Sequence, residues 1–304
     1  MLAGFTPLAD LQSINHPAEN LPLSEALRFS LILATVGRTA ELDRFLKHLA
    51  AQSYRNFELI VVDQNPDDRL LPLLAPYQER FPVVHLRSAI GLSRARNAGL
   101  PHASGDILAF PDDDCWYSAD LLQRVATLFQ KTSTVDCITG RPVDACALGF
   151  DRSSGRVNKR NVFRRGISYT IFIRNEVASC IGRFDESLGL GATSGKIAAE
   201  ETDYLLRALS ASFHISYFAE LCVPHGDSKL VYDEALIRRQ YGSALALGCV
   251  LKKHQYPFWF VLYYWVRPFG RACLSFVMFQ RPRARYHYAA FRGRVTGWLN
   301  APSP

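Results

Sequence analysis

Four short runs in the first 110 residues are apolar almost throughout: 29–34 (FSLILA), 57–62 (FELIVV), 83–86 (VVHL) and 106–110 (DILAF). Strands without a polar face are covered on both sides, which is the habit of parallel sheets. Between them lie segments with helical spacing. Residues 39–52 place Leu42, Phe45, Leu46 and Leu49 on one face, and 70–80 and 91–100 also read as helices. Strand, helix, strand in this order predicts an α/β fold with right-handed crossovers and helices on both faces of the sheet. In such sheets, ligands gather beyond the carboxyl ends of the strands. Those ends carry Thr35 to Arg38, Asp63 to Asn65, and Asp112, Asp113 and Asp114.

The second half is less regular. A strand is expected at 168–173, a glycine-rich loop at 184–195, a helix at 198–210 and a strand at 213–223, leading to Pro224, His225 and Gly226. No repeat or low-complexity segment interrupts the chain. With 48% hydrophobic, 21% charged and 12% aromatic residues, a disordered tail, a collagen-like fibre and a coiled-coil rod are excluded. The seven cysteines are odd in number and widely spaced, which argues against a disulfide framework or structural zinc site and for a reducing compartment. The first residues lack the charged and apolar regions of a secretory signal.

Charge divides the chain. Residues 235–304 hold eleven Lys and Arg and no Asp or Glu, whereas the preceding part holds 24 bases and all 28 acids.

Three adjacent carboxylates repel one another, and no packing need explains them. At a strand end, Asp112 and Asp114 suit a hard divalent cation such as Mg²⁺ or Mn²⁺, with His225 as a further ligand, although a solvated acidic turn would also accommodate the triplet. Asp63 and Asn65 can meet a nucleoside's hydroxyls or base, or simply make a turn. Arg94, Arg96 and Asn97, near a helix start, favour an anionic ligand such as a diphosphate, although a solvated basic face would also account for them. Glu200, Glu201 and Asp203 occupy the first turn of the next helix, where acids complement the helix dipole but can also serve as a general base. A phosphate-loop reading of residues 191–196 fails, because Leu190 and Ile197 stand where glycine and a hydroxyl are required.

In order, the segments LILATVGR, NFELIVVDQN, GLSRARNAGL, DILAFPDDDCW, GRFDESLGLG, AEETDYLLRAL and VPHG cover roughly residues 29–230. Together they resemble the family 2 glycosyltransferases, inverting enzymes of the GT-A fold, a Rossmann-like mixed sheet flanked by helices. The resemblance implies a 28–234 catalytic domain (28–117 nucleotide-binding, 118–234 acceptor-binding), after a loose 1–27 extension and before a helical, basic, membrane-associated 235–304 region that the charge count marks off. It also implies a nucleotide-diphospho-sugar donor, a glycan or lipid-linked acceptor, Mg²⁺ or Mn²⁺, single displacement, and a role in cell-envelope polysaccharide synthesis. Thr35, Arg38, Asp63 and Asn65 would then lie at the nucleotide, with Arg94, Asn97, Asp112 and Asp113 toward the donor. Asp112, Asp114 and His225 would hold the metal, and Glu201 would be the base, with Glu200 and Asp203 as alternatives. A sugar-nucleotide nucleotidyltransferase or a non-catalytic membrane-bound scaffold that binds nucleotide sugars are the competing readings.

Residues 256–279 are aromatic and apolar, but Arg267 and Arg271 interrupt them, and Pro257 and Pro268 are expected to break a helix. Such a segment suits the headgroup region of the cytoplasmic membrane face, making the protein peripheral, ahead of buried packing; no nucleic acid partner is expected.

Overall fold

The computed structural model describes residues 26–143, 149–226 and 231–302. Nearly all of the 1–27 extension lies outside these residues, as does part of the expected acceptor half.

The first half alternates as expected: β1 (Phe29–Thr35), α1 (Ala40–Ala50), β2 (Phe57–Asp63), α2 (Leu71–Gln78), β3 (Val83–Arg87), α3 (Leu92–Gly99) and β4 (Ile107–Ala109). Then follow α4 (Leu121–Lys131), β5 (Cys137–Pro142), β6 (Gly155–Arg156), β7 (Ile171–Arg174), α5 (Asn175–Ile181), α6 (Glu200–Ser210) and β8 (Ile215–Val223). Three helices close the chain: α7 (Glu234–Lys253), α8 (Phe258–Val277) and α9 (Arg281–Asn300).

Among the described residues the strands form one eight-stranded sheet in the order β3-β2-β1-β4-β7-β5-β8-β6. β1, β2, β3 and β4 pair in parallel, while β7 runs antiparallel to both β4 and β5, so the sheet is mixed. Successive side chains along a strand point to opposite faces. Thus Phe29, Leu31 and Leu33 of β1 join α1 and α4 on one side, and Ile32 meets α3 and α6 on the other. Both sides are dry, which is why the strands read as continuous apolar runs.

Register sets the site. Thr35 pairs with Asp63, Asp63 with Arg87, and Ala34 bridges to Asp112, which brings three polar strand ends to one level of the sheet edge. A second bridge, Cys115 to His225, lays the end of β8 against the aspartate turn.

The change of charge at residue 235 is not a break in packing. Ala246 and Val250 of α7 belong to the core that α6 and β8 build. Lys253 and His254 both reach Asp203 Oδ1 at 2.8 Å, and Lys253 also pairs with Asp185. Helix α9 then lies backbone to backbone on α7: a Cβ at Gly297 would collide with the Leu245 carbonyl, and one at Gly248 with the Arg294 carbonyl.

The expected break at Pro268 does not occur, and α8 runs unbroken from Phe258, with Pro257 as its N-cap. Proline lacks the N–H that would have bonded the Tyr264 carbonyl. Arg294 Nη1 of α9 donates to that carbonyl instead, at 2.6 Å. Burial lowers the Arg294 pKa to about 10, which keeps it cationic at neutral pH.

Candidate active site

A cavity of about 330 Å³ opens at the carboxyl edge of the sheet, and Thr35, Arg38, Asp112, Asp113, Asp114 and His225 share its lining. The turn after β4 is held from three sides. Asp113 accepts from Thr35 Oγ1 and Arg38 Nη1, each at 2.6 Å. Arg38 also reaches Asp114 Oδ2 at 2.6 Å, and the other Asp114 oxygen lies 2.8 Å from His225 Nε2. Asp112 meets Arg96 Nη2 at 3.2 Å and Ser168 Oγ at 3.3 Å.

These partners give the three aspartates different proton affinities. Burial raises Asp112 to about 6, with Asp114 and Glu200 adding to the effect against Arg96 and His225. Burial also raises Asp113, against its bonds to Thr35 and Arg38. It works against charge on Asp114 too, yet the His225 hydrogen bond and the Arg38 charge hold that carboxyl below its ordinary value. His225 is raised in turn by its bond to Asp114, burial opposing.

The donor atoms fit a divalent cation. One oxygen each from Asp112 and Asp114 and a His225 ring nitrogen lie within 4.8 Å of one another. The 2.8 Å between Asp114 Oδ1 and His225 Nε2 is near the separation of about 3 Å that two adjacent ligands take on a small octahedral ion. Carboxylate oxygens with one imidazole suit a hard-to-borderline metal.

Arg96 ties this turn to α6. It is 1% exposed, with Nη1 3.0 Å from Glu200 Oε1 and Nη2 on Asp112. Next to Glu200, the Glu201 carboxyl accepts from its own backbone N–H and pairs with no other side chain among the described residues. Burial first, then the neighbouring Glu200 charge, raises its pKa to about 8, and Asp112 contributes in the same sense. The helix starts from Ala199 in the left-handed conformation, at φ 67°, which costs a non-glycine residue about 1 kcal/mol and sets the direction of the acidic turn. Gly191, at φ 78°, brings the preceding loop against Gly91, and Leu92 N donates to the Leu190 carbonyl at 2.8 Å.

Glu200 and Glu201 are not among the residues lining the cavity, and other expected residues also stand back from it. Asp63 is fully buried, with one oxygen on Asn65 and the other 3.1 Å from both His85 and Arg87. Asn65 accepts from Gly37 N at 2.7 Å, so the pair shapes the rim, and Gln64 is the residue of this loop that reaches the cavity. Arg94 and Asn97 face Glu186 and the Phe184 backbone, fastening α3 to the glycine-rich loop. Asp203 points away, held by Lys253, His254 and Arg207, which bring its pKa down to about 2 against burial. Sequence reasoning grouped Arg96 with Arg94 but gave it no role of its own, and it missed Gln64, Ser168 and Arg239, the last of which enters the cavity lining from α7. Arg96 had a signal: it lies three residues before Gly99, on the α3 face that packs on the sheet, whereas Arg94 does not.

A mixed sheet with a carboxylate turn at the end of its fourth strand and an acidic helix start beside it has the GT-A glycosyltransferase architecture. A mannosyltransferase from Pyrobaculum calidifontis, solved with GDP-Man and Mn²⁺, superposes with a TM-score of 0.61 at 14% identity, covering 90% of this chain and 88% of that one. TarS 1-349 from S. aureus, solved with UDP-GlcNAc, gives 0.58 at 16% identity over 90% and 93%. Residues 30–189 match the glycosyl transferase family 2 model, and the chain belongs to that family. A PGL/p-HBAD biosynthesis glycosyltransferase of Mycobacterium bovis is 30% identical over 162 residues, 52% of this chain and 63% of that protein. An uncharacterized glycosyltransferase of Bacillus subtilis, YwdF, is 27% identical over 145 residues, 47% and 51% respectively. The match thus spans between half and two thirds of these relatives.

Proposed function

We propose that the chain moves one sugar from a nucleotide-diphospho-sugar to a glycan or lipid-linked acceptor, with inversion at the sugar carbon. The observation that carries this reading is the placing of Asp112, Asp114 and His225 in one cavity with Thr35 and Arg38, joined through Arg96 to the acidic start of α6. Asp112, Asp114 and His225 would hold Mn²⁺ or Mg²⁺, which when bound supplies positive charge to the diphosphate leaving group. Thr35, Gln64 and the rim set by Asp63 and Asn65 take the nucleoside. Arg38, released from Asp113 and Asp114, adds a cation to the diphosphate, while Arg94 and Asn97 keep the glycine-rich loop closed over it.

Glu201 is the base. A bond forms from the acceptor oxygen to the sugar carbon as the bond to the diphosphate oxygen breaks, and the hydroxyl proton passes to the Glu201 carboxylate. A carboxyl raised to about 8 is a stronger base than an ordinary one in the ionised fraction that can act, and that fraction grows as pH rises through about 8. Glu200 is engaged with Arg96 and Asp203 with α7, which favours Glu201 among the three.

The exposed face of α8 supports peripheral docking on the cytoplasmic membrane surface. Phe258, Trp259, Leu262, Val266 and Phe276 are solvent-facing along one side, Phe279 follows at 89% exposure, and Arg267 and Arg271 flank them. That is the composition of an interfacial helix. Among the described residues no helix is long and apolar enough to cross a membrane.

The test is calorimetric titration of a nucleoside diphosphate with Mn²⁺, paired with a transfer assay. Asp114→Asn should abolish metal-dependent binding. Glu201→Gln should bind donor normally and lose transfer by about 10²-fold or more. Unchanged titration in the first variant, or retained turnover in the second, overturns the assignment.

A further inference from the structure

A second cavity, of about 740 Å³, lies between residues 194–197, α7 and α9, and its lining shares Arg239 with the cavity already described. Arg238, Arg239, Arg285 and Arg292 line it, and among the described residues no acidic side chain does. Arg285 pairs with Glu234 at 2.5 Å and Arg292 lies 5.3 Å over the Tyr241 ring. Arg238 and Arg239 have no ion-pair or hydrogen-bond partner among the described residues. Arg238, Arg239 and Arg292 have no acidic partner among the described residues, and gathering these three guanidiniums costs self-repulsion that a doubly charged anion would relieve; the guanidinium fork matches phosphate oxygens two at a time. Ile197, Leu245 and Ala289 give the cleft an apolar side, so its ligand is an ester rather than a bare ion.

We infer that this cleft receives a phosphate or diphosphate ester carried by the acceptor, a conclusion that rests on the glycosyltransferase reading above. The donor's own diphosphate belongs at Asp112, Asp114 and His225, in the other cavity, so a phosphate here is a separate one. Arg239 stands at the junction: an acceptor anchored by Arg238 and Arg292 reaches the donor past it. The enzyme would then prefer phosphorylated acceptors to neutral glycans of the same structure.

The experiment titrates inorganic pyrophosphate into the full chain with EDTA present, so that the metal site contributes nothing. Saturable binding is expected in the wild type and in Asp114→Asn, weakened at least tenfold in the double variant Arg238→Ala, Arg292→Ala. Absence of saturable binding, its retention in the double variant, or its loss in Asp114→Asn overturns the proposal. Nucleoside diphosphate with Mn²⁺, titrated in parallel, should bind the double variant as it binds the wild type, which also shows that the variant folds. If pyrophosphate fails in the wild type while that control succeeds, the cleft proposal falls alone; if the control fails in the wild type, the donor reading falls, and with it the acceptor role. Sedimentation with phosphatidylglycerol vesicles separates the remaining source of phosphate. The double variant should sediment as the wild type does, and its loss from the vesicles would make the cleft a lipid-headgroup site and overturn the acceptor assignment.

Discussion

Replacing Arg96 with methionine removes the charge that joins the aspartate turn to α6 while keeping most of the side chain's length. Its two contacts, 3.0 Å to Glu200 and 3.2 Å to Asp112, are made by a side chain 1% exposed. At an effective dielectric of 20, each contributes about 5 kcal/mol of gross attraction. Most of that is offset by taking the three groups out of water. What the substitution measures is the cost of leaving Glu200, 4% exposed, without its cation, and for buried pairs that cost is about 3–5 kcal/mol. Asp112 retains Ser168 and some solvent contact, which places the expectation at about 4 kcal/mol, or roughly 10 °C in melting temperature for a chain of this size. Thermal and urea unfolding at pH 8 read it directly. At pH 5 the gap should narrow, because the orphaned carboxylates escape by taking up protons, and adding Glu200→Gln should recover part of the loss at pH 8. A variant within 1 kcal/mol of wild type at pH 8, or a gap that ignores pH, refutes the idea that Arg96 holds these two elements together.

The raised Glu201 carboxyl has a signature in stability. Its neutral form is favoured in the folded state, so its contribution is complete below the ordinary carboxylate range and is lost as pH rises through about 8. Glu201→Gln, permanently neutral, should therefore melt with the wild type at pH 4 and above it at pH 9, as scanning calorimetry can check; wild-type transfer should rise with pH over the same alkaline limb. Gly297→Leu should lift α9 from α7 and cost about 3 kcal/mol or more, seen as earlier melting and proteolytic release of the C-terminal helices. Trp259→Glu with Phe276→Glu should weaken sedimentation with anionic vesicles more than tenfold while leaving the melting temperature within about 2 °C, since both side chains face solvent.

The first half of the fold and the cavity's aspartate wall were legible because they rest on local rules. Period and apolarity place β1, β2 and β4, and the strand-end rule then points to Thr35, Asp63 and Asp112. Non-local pairing was harder to read: β5 carries Gly140 and Pro142, and acquires its strand character from β7 and β8 on either side. At Pro268 a sound local rule lost to a distant guanidinium. Arg239 was hidden for a related reason, since a basic tail reads as a surface feature until the packing of α7 carries it to the cavity at the strand ends. Asp63 shows the converse, a correctly located carboxylate whose lone pairs its own neighbours consume.

The glycine seam between α7 and α9 has a practical consequence for anyone handling the protein. Cutting at residue 255 to discard a sticky-looking appendage would strip the cover from Gly248 and Ala244 and leave a bare, narrow-ridged helix on the α/β body, inviting clumping. Leaving the polypeptide whole, so that α9 keeps this ridge covered, is the gentler route to a tractable preparation.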